Sequence, residues 1–237
     1  TYNTIVDIGC GDGGVTKQLA SRVAHRRVVA VDVEPAMIAY ARQHNNAPTI
    51  QYITQDMAVE WAHLSPDMQR LKGSVDLIFA NFSFNRIRAK SQLMSICRQL
   101  LATGGQIWAN IVLISDVNRR AGPNQRRRKW CPSPDQQLAE WRQVLRNNGM
   151  TVDVFELDRQ TYSVTRQEII DYVTYVVLDY KMYFETNHQF ECDKNDLMAI
   201  LYDLTFNPSA DAPDPTAWTR FLANESVADG IVTRQIL

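Results

Sequence analysis

The sequence lacks the features that mark membrane, secreted and metal-clustered proteins. It has no run of 18 apolar residues, which excludes a membrane-spanning helix, and no charged-then-apolar leader that would signal secretion. Its four cysteines are widely spaced without a C-x-x-C pair, so they predict neither a zinc site nor a disulfide framework. We therefore expect a cytoplasmic protein with no membrane contact and no bound metal.

The chain also lacks a strong net charge and an initiator methionine. The formal net charge is −1, so no overall field favours nucleic acid or a membrane surface as a partner. A strand pattern begins almost at once after Thr1, and we expect a natural segment to precede it. With 237 residues and 45% hydrophobic composition, the chain suits one α/β domain with a sizeable core.

Apolar runs alternate with helical patterns over the first two thirds of the chain. Predicted strands cover residues 4–8, 27–31, 50–53, 75–80, 106–114 and 150–157. Predicted helices cover residues 15–23, 91–101 and 136–146, with another starting at Pro35, and Gly104 and Gly105 are expected to end the 91–101 helix. This rhythm predicts a doubly wound α/β fold with a mostly parallel sheet. Within a single domain, we expect a cofactor-binding core at 1–158, a helical cap at 159–230 and a last strand at 231–237.

A glycine-rich turn with acidic neighbours separates the first strand from the first helix. Gly9, Gly11 and Gly14 match the G-x-G-x-x-G pattern of dinucleotide-binding turns. However, Asp7 and Asp12 flank these glycines, and a pyrophosphate held there would face like charges. S-adenosylmethionine has no phosphate and carries a cationic sulfonium and α-ammonium, so the acidic turn favours it over a nicotinamide dinucleotide.

Two more acids follow the second and third strands. Asp32 ends the second strand, where a carboxylate can accept both hydroxyls of a ribose. Asp56 follows the third strand and can accept from an adenine amino group, while Met37 or Met57 can pack on the adenine ring. Each acid alone has an alternative explanation as a turn or helix cap, which is the preferred one for Asp56 taken by itself. Their recurrence at successive strand ends, together with the glycines, favours a ligand site.

Four segments together resemble class I S-adenosylmethionine-dependent methyltransferases. They are Asp-Ile-Gly-Cys-Gly-Asp-Gly at 7–13, the second strand and following helix at 31–42, the fourth strand at 75–81 and Leu-Ala-Thr-Gly-Gly at 101–105. The resemblance implies a Rossmann-like sheet of seven strands with an antiparallel last strand, and S-adenosylmethionine as cofactor. The predicted cofactor-binding residues are Asp7, Gly9, Cys10, Gly11, Asp12, Gly13, Asp32, Val33, Met37, Asp56, Met57 and Asn81.

The methyl acceptor is predicted from the lack of a histidine base near the expected acceptor position. None of His25, His44 and His63 falls near the ends of the fourth and fifth strands, and His188 remains a weak candidate for a base. An acceptor that is nucleophilic without a base, such as a carboxylate or thiolate, fits this absence best. The segments 81–87 and 141–150, followed by a helical cap, are similar to juvenile hormone acid methyltransferases and related small-acid O-methyltransferases.

That resemblance implies an acceptor that is the carboxylate of a small apolar acid. Asn85 and Arg86 stand where that family typically has His-Trp, and we predict that they position the acceptor. Tyr172 and Tyr175 in the cap either face the acceptor or belong to a packed helix. A basic cluster at 119–129 keeps RNA methylation as an alternative, although a solvated loop explains it better. A third alternative is a methyltransferase-like protein that binds ligand without turnover.

Overall fold

The structure is a computed structural model that describes residues 1–112, 134–158 and 230–236. Its strands are β1 (Tyr2–Ile8), β2 (His25–Asp32), β3 (Ile50–Thr54), β4 (Val75–Asn81), β5 (Leu101–Val112), β6 (Val152–Asp158) and β7 (Gly230–Ile236). Its α-helices are α1 (Gly14–Arg22), α2 (Pro35–His44), α3 (Pro66–Gln69), α4 (Lys90–Leu100) and α5 (Pro134–Asn147). Two single 3-10 turns lie at Trp61–His63 and Phe84–Arg86.

The first five strands form a parallel sheet in the order β3-β2-β1-β4-β5. β1 pairs with β2 on one side, where Ile8 is opposite Val31, and with β4 on the other, where Asp7 is opposite Phe79. The Rossmann-like parallel fold is thus confirmed. β7 and β6 follow beyond β5 in the strand order, and the complete seven-stranded arrangement with an antiparallel last strand stays a prediction.

The core of the sheet is apolar on both faces. The central strands read as continuous runs of buried aliphatic residues, as parallel strands covered on both sides do. α4 is amphipathic and buries one stripe of side chains against the sheet, because apolar residues recur every three or four positions along it. The buried residues of β1, β2, β4 and α4 include Ile5, Val6, Val28, Val31, Leu77, Ile78, Leu93, Ile96 and Leu100.

Local differences from the predicted elements have identifiable causes. Gly104 and Gly105 do not end a helix, because α4 stops at Leu100 and β5 begins at Leu101. They lie in an irregularity of β5, where the register with β4 shifts between Val75 and Leu77. Gly104 has φ +76°, and a Cβ on Gly105 would lie 2.7 Å from the carbonyl oxygen of Val75. The glycines therefore serve a β-bulge, which short-range helix signals do not reveal.

Two compact units make up the chain. One comprises residues 1–111, 140–156 and 231–237, and the other comprises residues 112–139 and 157–230. The predicted cap at 159–230 lies, but for residue 230, outside the described residues, as do Tyr172, Tyr175, His188 and the basic cluster at 119–129. None of the helices in residues 1–112 and 134–158 has the length and apolar character needed to cross a bilayer.

Candidate functional site

The carboxyl ends of the parallel strands bring the predicted site residues to one edge of the sheet. β1 ends at Ile8, β2 at Asp32, β3 at Thr54 and β4 at Asn81. Strand order reverses at β1, because the chain continues to β2 on one side and β4 lies on the other. In open α/β sheets, ligands bind in the crevice outside this switch point. The turns that follow β1, β2, β3 and β4 therefore form the candidate site.

Glycine is required at three positions of the first turn for different structural reasons. Gly9, Gly11 and Gly13 all have positive φ, at +76°, +53° and +79°. A Cβ on Gly9 would lie 2.2 Å from the Cβ of Ser83, and one on Gly13 would lie 2.5 Å from the Tyr52 hydroxyl. Among the residues that the structure describes, a Cβ on Gly11 would meet no atom within 4 Å. Protein packing explains the first and third glycines, whereas only Gly11 leaves an open approach for a ligand.

Asp32 is held in position by two backbone donors. The Gly11 N–H donates to Asp32 Oδ2 at 2.9 Å, and the Glu34 N–H donates to Asp32 Oδ1 at 2.9 Å. The side chain is half-buried at the end of β2. A carboxylate offers about four lone-pair sites, so both oxygens can still accept hydroxyl donors from a ligand. The structure brings Asp32 to the open glycine, as the predicted site requires.

Asp12 and Asp56 cap their own turns. Asp12 Oδ1 accepts from the Gly14 N–H at 2.9 Å, and Asp56 Oδ1 accepts from the Ala58 N–H at 2.7 Å. Both side chains are exposed. Asp32 makes the same contact two residues ahead with Glu34. All three acids therefore do cap a turn. In the described part of the chain, the second oxygen of Asp12 and that of Asp56 have no hydrogen bond.

Asp7 is the buried acid of the site. Its side chain is 2% exposed, and Thr16 Oγ1 donates to its Oδ2 at 2.6 Å. Burial raises the pKa of Asp7 from 3.8 to about 7; the Thr16 hydrogen bond opposes this shift, and the charge of Asp32 adds to it. Asp7 therefore changes its charge near neutral pH.

Cys10 contributes backbone rather than a reactive thiol. Its side chain is buried within a cluster of core residues, and burial raises the pKa of the thiol, with the charges of Asp7 and Asp32 adding to the shift. Its N–H donates to the carbonyl of Val31 at 3.0 Å. A thiol of this kind stays protonated and does not act as a nucleophile.

The two methionines predicted to contact adenine lie in different environments. Met37 is 45% exposed on the first turn of α2, and Val33, the residue after Asp32, is 62% exposed. Met57 is 3% exposed and belongs to the core. Of the two, Met37 presents open apolar surface, and it follows the predicted ribose-binding residue Asp32 closely in the chain.

The turn after β4 carries the predicted acceptor residues. Asn81 Oδ1 accepts from Asn110 Nδ2 at 2.8 Å, which joins the ends of β4 and β5. Asn85 Oδ1 is buried and has no hydrogen-bond partner within residues 1–112, 134–158 and 230–236. Arg86 is exposed at the end of the 3-10 turn Phe84–Arg86. An unpartnered buried amide oxygen is costly, so Asn85 is the side chain of this turn that most requires a further contact.

The three described histidines lie away from this turn. His25 begins β2, at the opposite end from the switch point, and its ring nitrogens contact the Val23 carbonyl and the Thr49 hydroxyl. His44 ends α2 and stacks on Tyr40 with 4.0 Å between ring centroids. His63 is exposed in the 3-10 turn Trp61–His63. Within residues 1–112, 134–158 and 230–236, no group of three or more His, Cys, Asp or Glu side chains is placed to hold a metal.

Sequence reasoning missed three residues that shape the site. Tyr52 fills the space beside Gly13 and donates from its hydroxyl to the Asn45 carbonyl at 2.8 Å. Ser83 packs on Gly9 and donates from Oγ to the Ile8 carbonyl at 2.5 Å. Phe82 is 47% exposed with φ +55°. No local pattern signals these roles, because each depends on contacts or geometry between segments that are distant in the chain.

Residues 5–105 match the model of a family described as a methyltransferase domain. This stretch contains the glycine turn, Asp32, Asp56 and the turn after β4. With its sequence motifs, this stretch is similar to class I S-adenosylmethionine-dependent methyltransferase domains. The predicted resemblance to that family is thereby confirmed over this stretch.

Curated relatives of the methyltransferase domain include enzymes named for acids. A malonyl-[acyl-carrier protein] O-methyltransferase of Acetivibrio thermocellus is 36% identical over 80 residues, which cover 34% of this chain and 25% of that protein. A trans-aconitate 2-methyltransferase of Shigella dysenteriae is 28% identical over 179 residues, covering 72% of this chain and 65% of that protein. The chain thus spans less than two thirds of the length of either relative.

Solved structures share the fold of the methyltransferase domain at low sequence identity. A Haemonchus contortus phosphoethanolamine N-methyltransferase 2 in complex with S-adenosyl-L-methionine has a TM-score of 0.55 and 17% identity, covering 100% of this chain and 49% of that one. The [4+2]-cyclase SpnF also has a TM-score of 0.55, with 13% identity, covering 98% of this chain and 75% of that one. Because these two proteins are named for different reactions, the fold does not identify the acceptor.

Proposed function

We propose that this chain binds S-adenosylmethionine at the carboxyl edge of its sheet and transfers the methyl group to the carboxylate of a small acid. The observation that carries the proposal is the contact between the Gly11 N–H and Asp32, beside the open space over Gly11. In the proposed complex, this contact orients the Asp32 carboxylate towards the ribose, next to the open backbone of Gly11.

The charges of the site favour this donor over a dinucleotide. Asp7, Asp12 and Asp32 lie on or beside the first two turns, and no Lys or Arg occurs within the glycine turn at 9–14. A pyrophosphate would meet like charge there, whereas a sulfonium and an α-ammonium are attracted. We assign the ribose hydroxyls to Asp32 and the adenine ring to Met37 and Val33, with Asp56 accepting from the adenine amino group.

Methyl transfer to a carboxylate needs alignment rather than a base. The donor supplies a methyl carbon that its sulfonium already activates; a carboxylate oxygen forms the new bond to that carbon while the carbon–sulfur bond breaks and its electron pair returns to sulfur. No proton has to be removed, since a carboxylate with a reference pKa near 4 is ionised at pH 7. This agrees with the positions of His25, His44 and His63, none of which lies on the turn after β4.

Asn85 and Arg86 are the proposed acceptor-positioning residues. The oxygen and nitrogen of an Asn amide are interchangeable in placement, so the buried position without a partner is also available to Nδ2. In that orientation, Asn85 donates a hydrogen bond to the acceptor carboxylate. Arg86 is exposed on the same turn and offers a charged hydrogen-bond donor at the rim of the proposed acceptor site.

The proposal also concerns the size and polarity of the acceptor acid. The names of the relatives contain malonyl, an acyl group that keeps one free carboxylate, and trans-aconitate, a tricarboxylate. The resemblance to juvenile hormone acid methyltransferases favours an apolar acid instead. We retain an apolar acid as the preferred acceptor and treat the two kinds of acid as separate arms of one experiment.

The test is methyl transfer from S-adenosylmethionine labelled in its methyl group. The acceptor panel contains trans-aconitate, a malonyl thioester, farnesoic acid, a phenol, an amine and RNA. A methyl ester releases labelled methanol in alkali, whereas N-methyl and phenolic O-methyl products do not. We expect alkali-labile label on an acid, and strong loss of it in Asn85→Ala.

Tyr40→Phe, an exposed change on α2, serves as the control variant and should keep full activity. Label on RNA or on the amine alone would contradict the acid acceptor. Donor binding without transfer to any acceptor of the panel would favour a methyltransferase-like binding protein.

A further inference from the structure

Phe82 combines an unusual backbone conformation with an exposed ring. It is the only non-glycine residue with positive φ in the described part of the chain, at +55°. Left-handed backbone is unfavourable for a bulky residue and persists only where surrounding structure imposes it. The ring is 47% exposed even though it is large and apolar. Both features are unfavourable for the free energy of folding, and neither contributes to the core.

Contacts on both sides fix the backbone of Phe82. Its own N–H donates to the Asn110 carbonyl at 2.9 Å, which extends the pairing of β4 with β5. The next residue, Ser83, is anchored to the Ile8 carbonyl and packs on Gly9. Phe84 is 1% exposed and stacks with Trp141, with 6.2 Å between ring centroids. The chain therefore turns inward at Ser83 and Phe84, and the Phe82 ring stays at the edge of the sheet.

The place of Phe82 relates it to the charged end of the donor. It directly follows β4, on the opposite side of β1 from Asp32. If Asp32 holds the ribose, as proposed above, the methionine end of the donor extends towards the β1–β4 side. An aromatic face attracts a weakly hydrated cation, as it does in sites for quaternary ammonium groups. Unlike a carboxylate, it offers no nucleophilic oxygen that the donor could methylate.

We propose that the Phe82 ring is a donor-binding face that contacts the sulfonium of S-adenosylmethionine through a cation–π interaction. The inference rests on the proposed function, since it needs the donor to occupy the crevice. It assigns the conformation of Phe82 to ligand binding and predicts discrimination between the charged donor and its neutral product. Such discrimination would help S-adenosylhomocysteine to leave after transfer.

The test compares three ligands by calorimetry. S-adenosylmethionine and sinefungin are cationic at the reacting position, whereas S-adenosylhomocysteine carries a neutral thioether. Phe82→Leu keeps an apolar side chain but removes the ring, and should weaken binding of the two cationic ligands about 3- to 30-fold. Binding of S-adenosylhomocysteine should change less than about 2-fold, and Phe82→Tyr should restore the wild-type pattern for all three ligands.

Two further variants separate the ring from the backbone. Phe82→Gly tolerates the positive φ, so it should raise the thermal midpoint while losing the same discrimination as Phe82→Leu. Tyr40→Leu removes a ring of similar exposure, 48%, from α2 and should leave all three affinities unchanged.

The inference would be overturned if Phe82→Leu and Phe82→Gly lost affinity equally for charged and neutral ligands, or lost no affinity for either. Such a result would leave the proposed function intact. Failure of the wild-type protein to bind any of the three ligands would overturn the proposed function itself.

Discussion

Ser83 occupies the space in which Gly9 would carry a Cβ. The Ser83 Oγ also donates to the carbonyl of Ile8, so the turn after β4 is fixed directly to the end of β1. The two strands that flank the switch point are thus joined where the candidate ligand site opens. This packing, rather than a ligand, explains why the first residue of the turn is glycine.

Gly9→Ala is expected to destabilise the fold. A Cβ would lie 2.2 Å from Ser83 Cβ and would sit on a backbone with φ +76°, so overpacking and left-handed strain add. We expect a loss of about 2–4 kcal/mol in the free energy of unfolding, measured by urea denaturation. In a double-mutant cycle, Ser83→Gly should recover part of the loss. An undiminished loss in the double variant would contradict the direct packing of the two residues.

Gly11→Ala is expected to act on the ligand instead. Its Cβ would meet no atom of the described part of the chain within 4 Å, so only the cost of φ +53° remains there, about 1–2 kcal/mol. Because that Cβ projects into the open approach, binding of S-adenosylhomocysteine should fall at least tenfold by calorimetry. A variant that binds the ligand normally would show that the donor does not approach the backbone at Gly11.

Asp32→Ala is expected to weaken donor binding without unfolding the protein. The change removes the acceptor of the Gly11 and Glu34 N–H groups together with the proposed acceptor of the ribose hydroxyls. The loss should be about 1–3 kcal/mol in binding free energy, the scale for a charged hydrogen-bonding partner. Asp67→Ala, at an exposed ion pair with Arg70, is the matched control. Unchanged affinity in Asp32→Ala would remove this residue from the site.

Asp7 is expected to make stability fall as pH rises. Its folded pKa of about 7 is above the ordinary value of 3.8, so its stabilising contribution is complete below pH 4 and is lost as pH rises through 7. Between pH 5 and 9 the unfolding free energy of the wild type should fall by about 3 kcal/mol relative to Asp7→Asn. A constant difference between the two proteins over that range would show that Asp7 titrates normally.

The pH profile of turnover is expected to identify the acceptor class. A carboxylate acceptor predicts a rate that is flat from roughly pH 6 to 9 at saturating donor, because its reference pKa near 4 lies well below that range. Arg86→Ala should raise the acceptor KM and leave donor affinity unchanged. The Asp7→Asn background separates the titration of the donor site from that of the acceptor. A rate that climbs through neutral pH in both backgrounds, with Arg86→Ala fully active, would indicate a phenol, amine or thiol.

The sequence by itself determined the parallel fold and the residues at its carboxyl edge. Asp7, Gly11 and Asp32 could be predicted because alternating strands and helices impose parallel strands, and parallel strands end at one edge. The start of α2 at Pro35 and the glycine turn were equally readable, since both depend on local backbone preferences. Those signals lie within a few residues of the features that they specify.

Only the tertiary structure decided which of these residues serve packing and which are open to a ligand. Gly9 and Gly11 have the same sequence signature, yet Ser83 closes the space over the first, and the space over the second is open. Gly104 and Gly105 were expected to end a helix, and their pairing with β4 places them in a bulge. The raised pKa of Asp7 and the strained backbone of Phe82 likewise come from burial and from contacts with distant segments. Packing between elements far apart in the chain sets these properties, and no local pattern encodes it.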